Sequence, residues 1–332
     1  MKRTLASCCT AHFLVDFSCA FLLFRALRSH AAWTELLVLY NFCAFAVQMP
    51  LGLLADGWKK DGQVAAAGTL MVAAAYGFAD VPVLAAAAAG LGNAAFHVGA
   101  GLETMSLSGQ RAGPLGLFVA PGAIGLFLGT LVGKESVLSL WLPPLALLCG
   151  AVWLHGSQRE REGGDTGVNL PPIREVGLSL ILLFAVVVLR SYVGITLTFP
   201  WKNQSQWALG LVLATATGKA AGGYLADRFG LLKTAAGSPG LSAVCLLLSA
   251  VPVYGAAAVL LFNMTMPLTL WASARLLPGA RGFAFGILTF GLFLGFLPAA
   301  FGASAMSGAG AVVPVLVSLL LLLPGLGRAV EP

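Results

Sequence analysis

The stretch GYLADRFGLLK at 223–233, with its counterpart GLLADGWKK at 52–60, decides how this chain is read. Each is a short basic break between two apolar runs, and each carries a glycine four residues before an aspartate. Asp56 and Asp227 stand 171 residues apart. At a shift of 170 Asn93 matches Asn263, Arg111 matches Arg281, Gly116 matches Gly286 and Gly125 matches Gly295. Chance likeness between apolar segments does not hold polar residues in register across several loops. The chain is therefore an internal duplication.

Around these breaks the composition leaves one solvent. Of 332 residues, 58% are hydrophobic and 10% charged, with a mean hydropathy of +0.90. A soluble protein keeps roughly a quarter of its residues charged, so the polar side chains here are too few to cover a water-facing surface. A lipid bilayer removes that need. The net charge of +6 does not imply nucleic acid, because the basic residues sit singly or in pairs at the ends of apolar runs rather than in an aromatic-studded patch. Cys8, Cys9, Cys19, Cys43, Cys149 and Cys245 lie in or beside apolar segments. Their spacing suggests neither a metal site nor a disulfide framework, and they read as small packing residues.

Gly, Pro and charged residues divide the chain into twelve apolar stretches, at 5–27, 33–55, 63–79, 81–102, 113–133, 136–155, 175–199, 204–226, 234–251, 253–274, 282–304 and 309–327. Each approaches the ~20 residues a helix needs to cross the hydrocarbon core. The first follows Lys2 and Arg3 like a signal peptide, but His12 and Asp16 at its centre make it a retained span. With both termini cytoplasmic, the inner positives are Lys2, Arg3, Lys59, Lys60, Arg111, Arg159, Arg161, Arg174, Arg228, Lys233, Arg275, Arg281 and Arg328. The outer ones are Arg25, Arg28, Lys134 and Lys202. This bias is what the positive-inside rule expects. The expected architecture is all-α, a multi-pass protein of the inner (plasma) membrane with twelve transmembrane helices. They form two pseudo-symmetric six-helix bundles, residues 1–155 and 175–332, joined by a cytoplasmic linker at 156–174. Parallel halves of this kind point to a transporter whose site lies near the midplane.

The two loops resemble the hallmark of the major facilitator superfamily, Gly-x-x-x-Asp-Arg-x-Gly-Arg-Lys/Arg between spans 2 and 3, echoed between spans 8 and 9. The second copy supplies Gly223, Asp227, Arg228, Gly230 and Lys233; the first supplies Gly52 and Asp56, with Gly57 where Arg is usual. Three further segments are similar to the fosmidomycin-resistance branch of that superfamily. They are HFLVD at 12–16, GLGNAAFH at 90–97 (with Val98 in place of proline) and LRSYVGITLTFP at 189–200. The resemblance implies a proton-coupled exporter working by alternating access. It also implies that Asp56 meets the start of span 11 near Arg281, and that Asp227, beside Arg228, meets the start of span 5 near Arg111. Both would act as conformational latches, since a carboxylate at a helix N-terminus gains about 0.3–1 kcal/mol from the helix dipole. Charges that only set topology are the alternative.

Ionisable groups at mid-bilayer cost about 2.5–3.5 kcal/mol even on lenient scales, so each needs a reason. His12 and Asp16 are four apart and share a helix face. Arg190 lies halfway along span 7, the repeat-mate of span 1. In the superfamily fold both spans line the cavity, so Asp16 and Arg190 would face each other as a proton and substrate switch, or as a static pair. His12 suits a proton relay or, equally, is a buried histidine bonded to a carbonyl, and His97 near the end of span 4 is a further cavity residue by resemblance. Lys219 in span 8 either lines the cavity or snorkels to the interface. Asn41, Gln48 and Asn263 are expected to bond between helices. The sequence contains no His/Asp/Glu metal cluster, nucleophile elbow or phosphate loop, so neither enzyme activity nor a cofactor nor a bound metal is expected. The expected partners are a small-molecule substrate, protons and the lipid bilayer, without nucleic acid, on a monomer. Proton-driven uptake of a sugar, organic acid or peptide is a competing reading, and a non-transporting membrane sensor or structural subunit is one of a different class.

Overall fold

The computed structural model describes residues 2–157 and 171–330. The linker expected at 156–174 falls, except at its two ends, outside the described residues. Twelve helices follow one another: α1 Lys2–Leu27, α2 Trp33–Trp58, α3 Asp61–Ala75, α4 Pro82–Ser108, α5 Gly113–Glu135, α6 Leu142–Ser157, α7 Ile173–Thr196, α8 Ser205–Phe229, α9 Leu231–Leu247, α10 Pro252–Leu276, α11 Arg281–Ala300 and α12 Gly308–Val330. Each overlaps one predicted apolar stretch. Eight are long and apolar enough to cross a membrane, and α6 and α9 are shorter apolar helices. The chain is a multi-pass membrane protein.

The reason the helices form is visible in α12. Ala311, Val315, Ser318, Leu322 and Leu326 are buried at three- and four-residue spacing, while Val313, Leu316, Val317 and Leu320 on the other side are exposed and just as apolar. A helix of a soluble protein turns charge outward; this one turns leucine and valine outward, as lipid requires. Within the hydrocarbon every backbone group must be satisfied inside the helix. That condition explains how α2 and α10 treat their amides. Asn41 donates to the Leu37 carbonyl at 2.8 Å, Gln48 to Ala44 at 2.5 Å and Asn263 to Val259 at 2.8 Å. These side chains thus bond four residues back on their own helix, not across to a neighbour as expected. A carbonyl already in the ladder keeps a second lone pair within reach of a side chain one turn on. A π turn at Phe42–Ala46 lies between the first two, and the helix of Asn263 is interrupted just after it, at Met264.

The contacts divide the chain into two compact units. One comprises Met1–Leu107, Pro121–Asn169 and Gly279–Phe290; the other comprises Ser108–Ala120, Leu170–Pro278 and Gly291–Pro332. Helix α5 therefore belongs to the second unit up to Ala120 and to the first from Pro121, and α11 changes unit after Phe290. In the first unit α6 packs on α1 and α3; in the second α12 packs on α7 and α9, and α10 on α8 and α9. The second unit has an apolar cluster that includes Phe199, Trp201, Leu246, Phe262 and Val315. Trp201 stacks on Phe199 with ring centroids 4.7 Å apart and donates its indole N–H to the Ser249 carbonyl at 2.9 Å.

Small residues set how closely helices approach, and the duplication repeats these contacts. A methyl group on Gly125 of α5 would overlap the Phe13 carbonyl oxygen of α1, and one on Gly295 of α11 would overlap the Val188 carbonyl oxygen of α7. These glycines are repeat-mates, each in its own unit. Gly125→Ala and Gly295→Ala should each cost about 1–3 kcal/mol by overpacking. The loss should be read as a lower apparent Tm in detergent, with Gly237→Ala, where nothing lies within 4 Å, unchanged.

Candidate functional site

Two helices of the first unit each contribute a pair of residues one turn apart. On α1, His12 and Asp16 approach with Nε2 and Oδ2 3.2 Å apart. On α4, Asn93 and His97 face them: His97 Nε2 lies 3.0 Å from His12 Nε2 and 3.7 Å from Asp16 Oδ1, and Asn93 donates to Asp16 Oδ1 at 3.1 Å. His12, His97 and Asn93 are 5%, 9% and 2% exposed and Asp16 is partly buried, so most of the cluster is withdrawn from the surface. The His97 ring is fixed by its other nitrogen, which lies 2.9 Å from the Asn93 carbonyl. A carbonyl only accepts, so Nδ1 carries a hydrogen, and in the neutral form of the ring the lone pair is at Nε2. Phe96 forms an apolar wall, its ring centroid 5.2 Å from His97 and 6.0 Å from His12. Gly122 of α5 closes another side; a methyl there would overlap His12 Nε2 and lie 2.5 Å from Asp16 Oδ2.

This geometry corrects the reading that no His/Asp/Glu cluster exists. His12, Asp16 and His97 each offer one ligand atom, all within 4.8 Å of one another. Ligand spacing in the sequence did not reveal it because α1 and α4 meet only in the fold. Within its own unit Asp16 draws its partners from two histidines and an amide. Arg190, 7% exposed on α7, donates to Thr269 Oγ1 at 3.4 Å within the second unit. Lys219 is half-buried on α8, and its carbonyl oxygen lies where a side chain on Gly116 would stand, 2.5 Å away.

The predicted latch aspartates each cap a helix distant in sequence. Asp56, at the end of α2, accepts from the backbone N–H groups of Gly282 at 2.8 Å and Phe283 at 2.9 Å. Asp227, at the end of α8, accepts from Ala112 at 2.7 Å and Gly113 at 2.9 Å. Each carboxylate thus takes two N–H groups left without carbonyl partners in a first helical turn. The amides correspond at the shift of 170, since 282 and 283 minus 170 are 112 and 113, and the aspartates at 171. Close approach is possible because Gly52 meets Gly282 and Gly223 meets Ala112 and Gly113, backbone to backbone. Both aspartates thus meet the expected helix starts, next in sequence to Arg281 and Arg111. Arg111 is exposed, with its N–H on Ser108 O at 3.0 Å; Arg228 lies over the Phe229 ring at 5.6 Å; Arg281 opens α11.

Sequence reasoning missed several groups. Trp271 donates to the Gln110 carbonyl at 3.0 Å and Arg275 to the Gln110 side chain, binding the loop before α5 to α10. Glu103, 7% exposed, was placed just past a span ending at 102, whereas α4 runs on to Ser108. The second unit also holds a cavity of about 230 Å³ among Phe199, Lys202, Thr215, Ser242, Phe262 and Asn263. Lys202 donates to the Leu197 carbonyl at 2.9 Å, and burial lowers the pKa of its amine.

No protein-family model matches the chain, and no curated protein matches it in sequence. Solved structures do match in fold. The fucose:proton symporter of E. coli aligns with a TM-score of 0.70 at 12% identity, covering 99% of this chain and 98% of that one. A human organic anion transporter aligns at 0.60 and 15% identity, over 97% and 99%. A bacterial homologue of the iron transporter ferroportin, in its outward-facing state, aligns at 0.60 and 16% identity, over 98% of each. At these identities the likeness is one of fold, that of major facilitator superfamily transporters.

Removing a carboxylate should expose only its own pair of amides. Asp227→Ala should speed hydrogen exchange at Ala112 and Gly113, and Asp56→Ala at Gly282 and Phe283, each roughly ten- to hundredfold. Loss of a hydrogen bond to a charged group, about 1.5–3 kcal/mol, sets that scale. Mass spectrometry of amide exchange reads both, and unchanged protection would show that neither aspartate holds its helix start.

Proposed function

We propose that this chain is a secondary transporter that crosses the membrane twelve times and moves a small solute by alternating access, with both termini in the cytoplasm. The observation that supports it most is the pair of aspartate caps at corresponding positions, Asp56 and Asp227. A cap made of two hydrogen bonds is strong enough to hold a helix and weak enough to release it, and making and breaking both is the conformational step of the cycle. Gly52, Gly282, Gly223 and Gly113 supply the smooth surfaces over which helix ends slide.

The reading assigns proton exchange to Asp16 with His12 and His97, and binding of an anionic solute to Arg190 and Lys219. A carboxylate and two imidazoles in a dry site change charge by one proton without leaving the helices that carry them. Coupled export of a small anionic compound or drug is the preferred direction, and the similarity of HFLVD and GLGNAAFH to the fosmidomycin-resistance branch supports it. A second reading is proton-coupled uptake, which the likeness in fold to a fucose:proton symporter favours.

Purified protein in proteoliposomes, with a pH gradient of either sign and an internal pH dye, tests the proposal. Anions, sugars, peptides and antibiotics are added in turn. At least one class should move protons in a gradient-dependent way, and Asp16→Asn should abolish that flux while the protein stays folded. Solute flux indifferent to the gradient in the wild type, or full coupling in Asp16→Asn, would remove the proton assignment. The gradient that drives accumulation inside the vesicles decides between export and uptake.

A further inference from the structure

We propose that His12, Asp16 and His97 form a binding site for one divalent first-row transition metal ion. The inference concerns binding alone, within one compact unit, and stands apart from the transport reading.

Distances carry it first. Zinc-type ions hold imidazole nitrogen and carboxylate oxygen at about 2.0–2.2 Å. Three such ligand atoms around one ion lie about 3.0 Å apart when the bonds meet at right angles, and about 3.4 Å apart at tetrahedral angles. The separations here are 3.0 Å between the two Nε2 atoms, 3.2 Å from His12 Nε2 to Asp16 Oδ2 and 3.7 Å from His97 Nε2 to Asp16 Oδ1. The two separations that share His12 Nε2 fall within this range, and the 3.7 Å approach belongs to the other carboxylate oxygen. One ligand atom from each residue lies within 4.8 Å of the others with no ion in place.

The supporting groups carry it second. Metal-bound histidines almost always give their other ring N–H to a carbonyl or carboxylate, which fixes the tautomer and aims the lone pair. His97 does so through Nδ1 to the Asn93 carbonyl at 2.9 Å. Ligating carboxylates are themselves hydrogen-bonded, and the Asn93 side chain holds Asp16 Oδ1 at 3.1 Å. One residue, Asn93, thus orients two of the three ligands, with its backbone and its side chain. Room beside the ligand atoms depends on Gly122, because any side chain there would occupy the space against His12 Nε2 and Asp16 Oδ2.

The donor set selects the ion class. Two imidazoles and one carboxylate suit zinc, cobalt, iron(II) and nickel; magnesium and calcium take oxygen-rich shells. Three protein ligands leave further positions for water or another ligand, so the site is open rather than structurally closed.

The test uses tag-free full-length protein in detergent, titrated with Co2+ and followed by isothermal calorimetry and visible absorption. One equivalent should bind, with the intense bands of a four- or five-coordinate nitrogen-ligated ion, and Zn2+ should displace it. His12→Gln, Asp16→Asn, His97→Gln and Gly122→Ala should each raise the Co2+ Kd at least tenfold. His30→Gln and His155→Gln, which alter the two remaining histidines, should leave it unchanged. Size-exclusion profile and melting behaviour check that the variants are folded. If a variant fails to fold, the wild-type spectrum decides: an octahedral, weakly absorbing Co2+, or no binding, overturns the proposal. Binding of equal strength in the cluster variants overturns it as well. Proton-driven flux in the metal-free protein reports separately on transport, so failure of one does not count as failure of the other.

Discussion

An aspartate carboxylate that closes the open end of a distant helix is the interaction on which the rest of this architecture depends. The first turn of any helix leaves N–H groups without carbonyl partners, and in a protein with 10% charged residues few side chains are available to serve them. Here the cap comes from another helix altogether. Asp56 serves α11 and Asp227 serves α5. Both helices have residues in each compact unit, changing over at Phe290 and at Ala120. Each cap therefore joins α2 or α8 to the near end of a helix whose far end packs elsewhere. The negative charge meets the positive end of a helix dipole, so strength comes from both hydrogen bonding and field.

The same scarcity of polar partners shapes the interior of the first unit. A carboxylate withdrawn from water must be neutralised or bonded. Asp16 meets that demand with His12, His97 and Asn93, the set for which proton exchange and metal binding are proposed above. Proton exchange and dication binding need the same thing of these atoms, lone pairs converging in a dry, apolar-walled space. Arg190, in the second unit, donates to a threonine hydroxyl.

Glycine is the complement of both features. The carboxylates reach their amides because Gly52 and Gly223 let backbones touch, and the histidine cluster is open because Gly122 carries no side chain. Close approach and free space are the same property seen from two sides: the absence of a Cβ at a crossing point.

What the sequence determined by itself was whatever depends on periodicity and register. The membrane setting followed from composition, the helical stretches from apolar runs between charged breaks, and the pairing of Asp56 with Asp227 from the shift of about 170 residues. The helix starts they meet were implied by the resemblance of their loops to the major facilitator hallmark. These were legible because lipid and helix geometry act residue by residue along the chain. The tertiary structure alone decided the chemistry of the cluster and the partners of the amides. His97 meets His12 only because α1 and α4 pack together. Asn41, Gln48 and Asn263 turn back on their own helices because a local carbonyl was nearer than a neighbour. A polar side chain in a membrane protein has to find a partner, but which partner it finds is a matter of distance in space, and a linear sequence carries no distances.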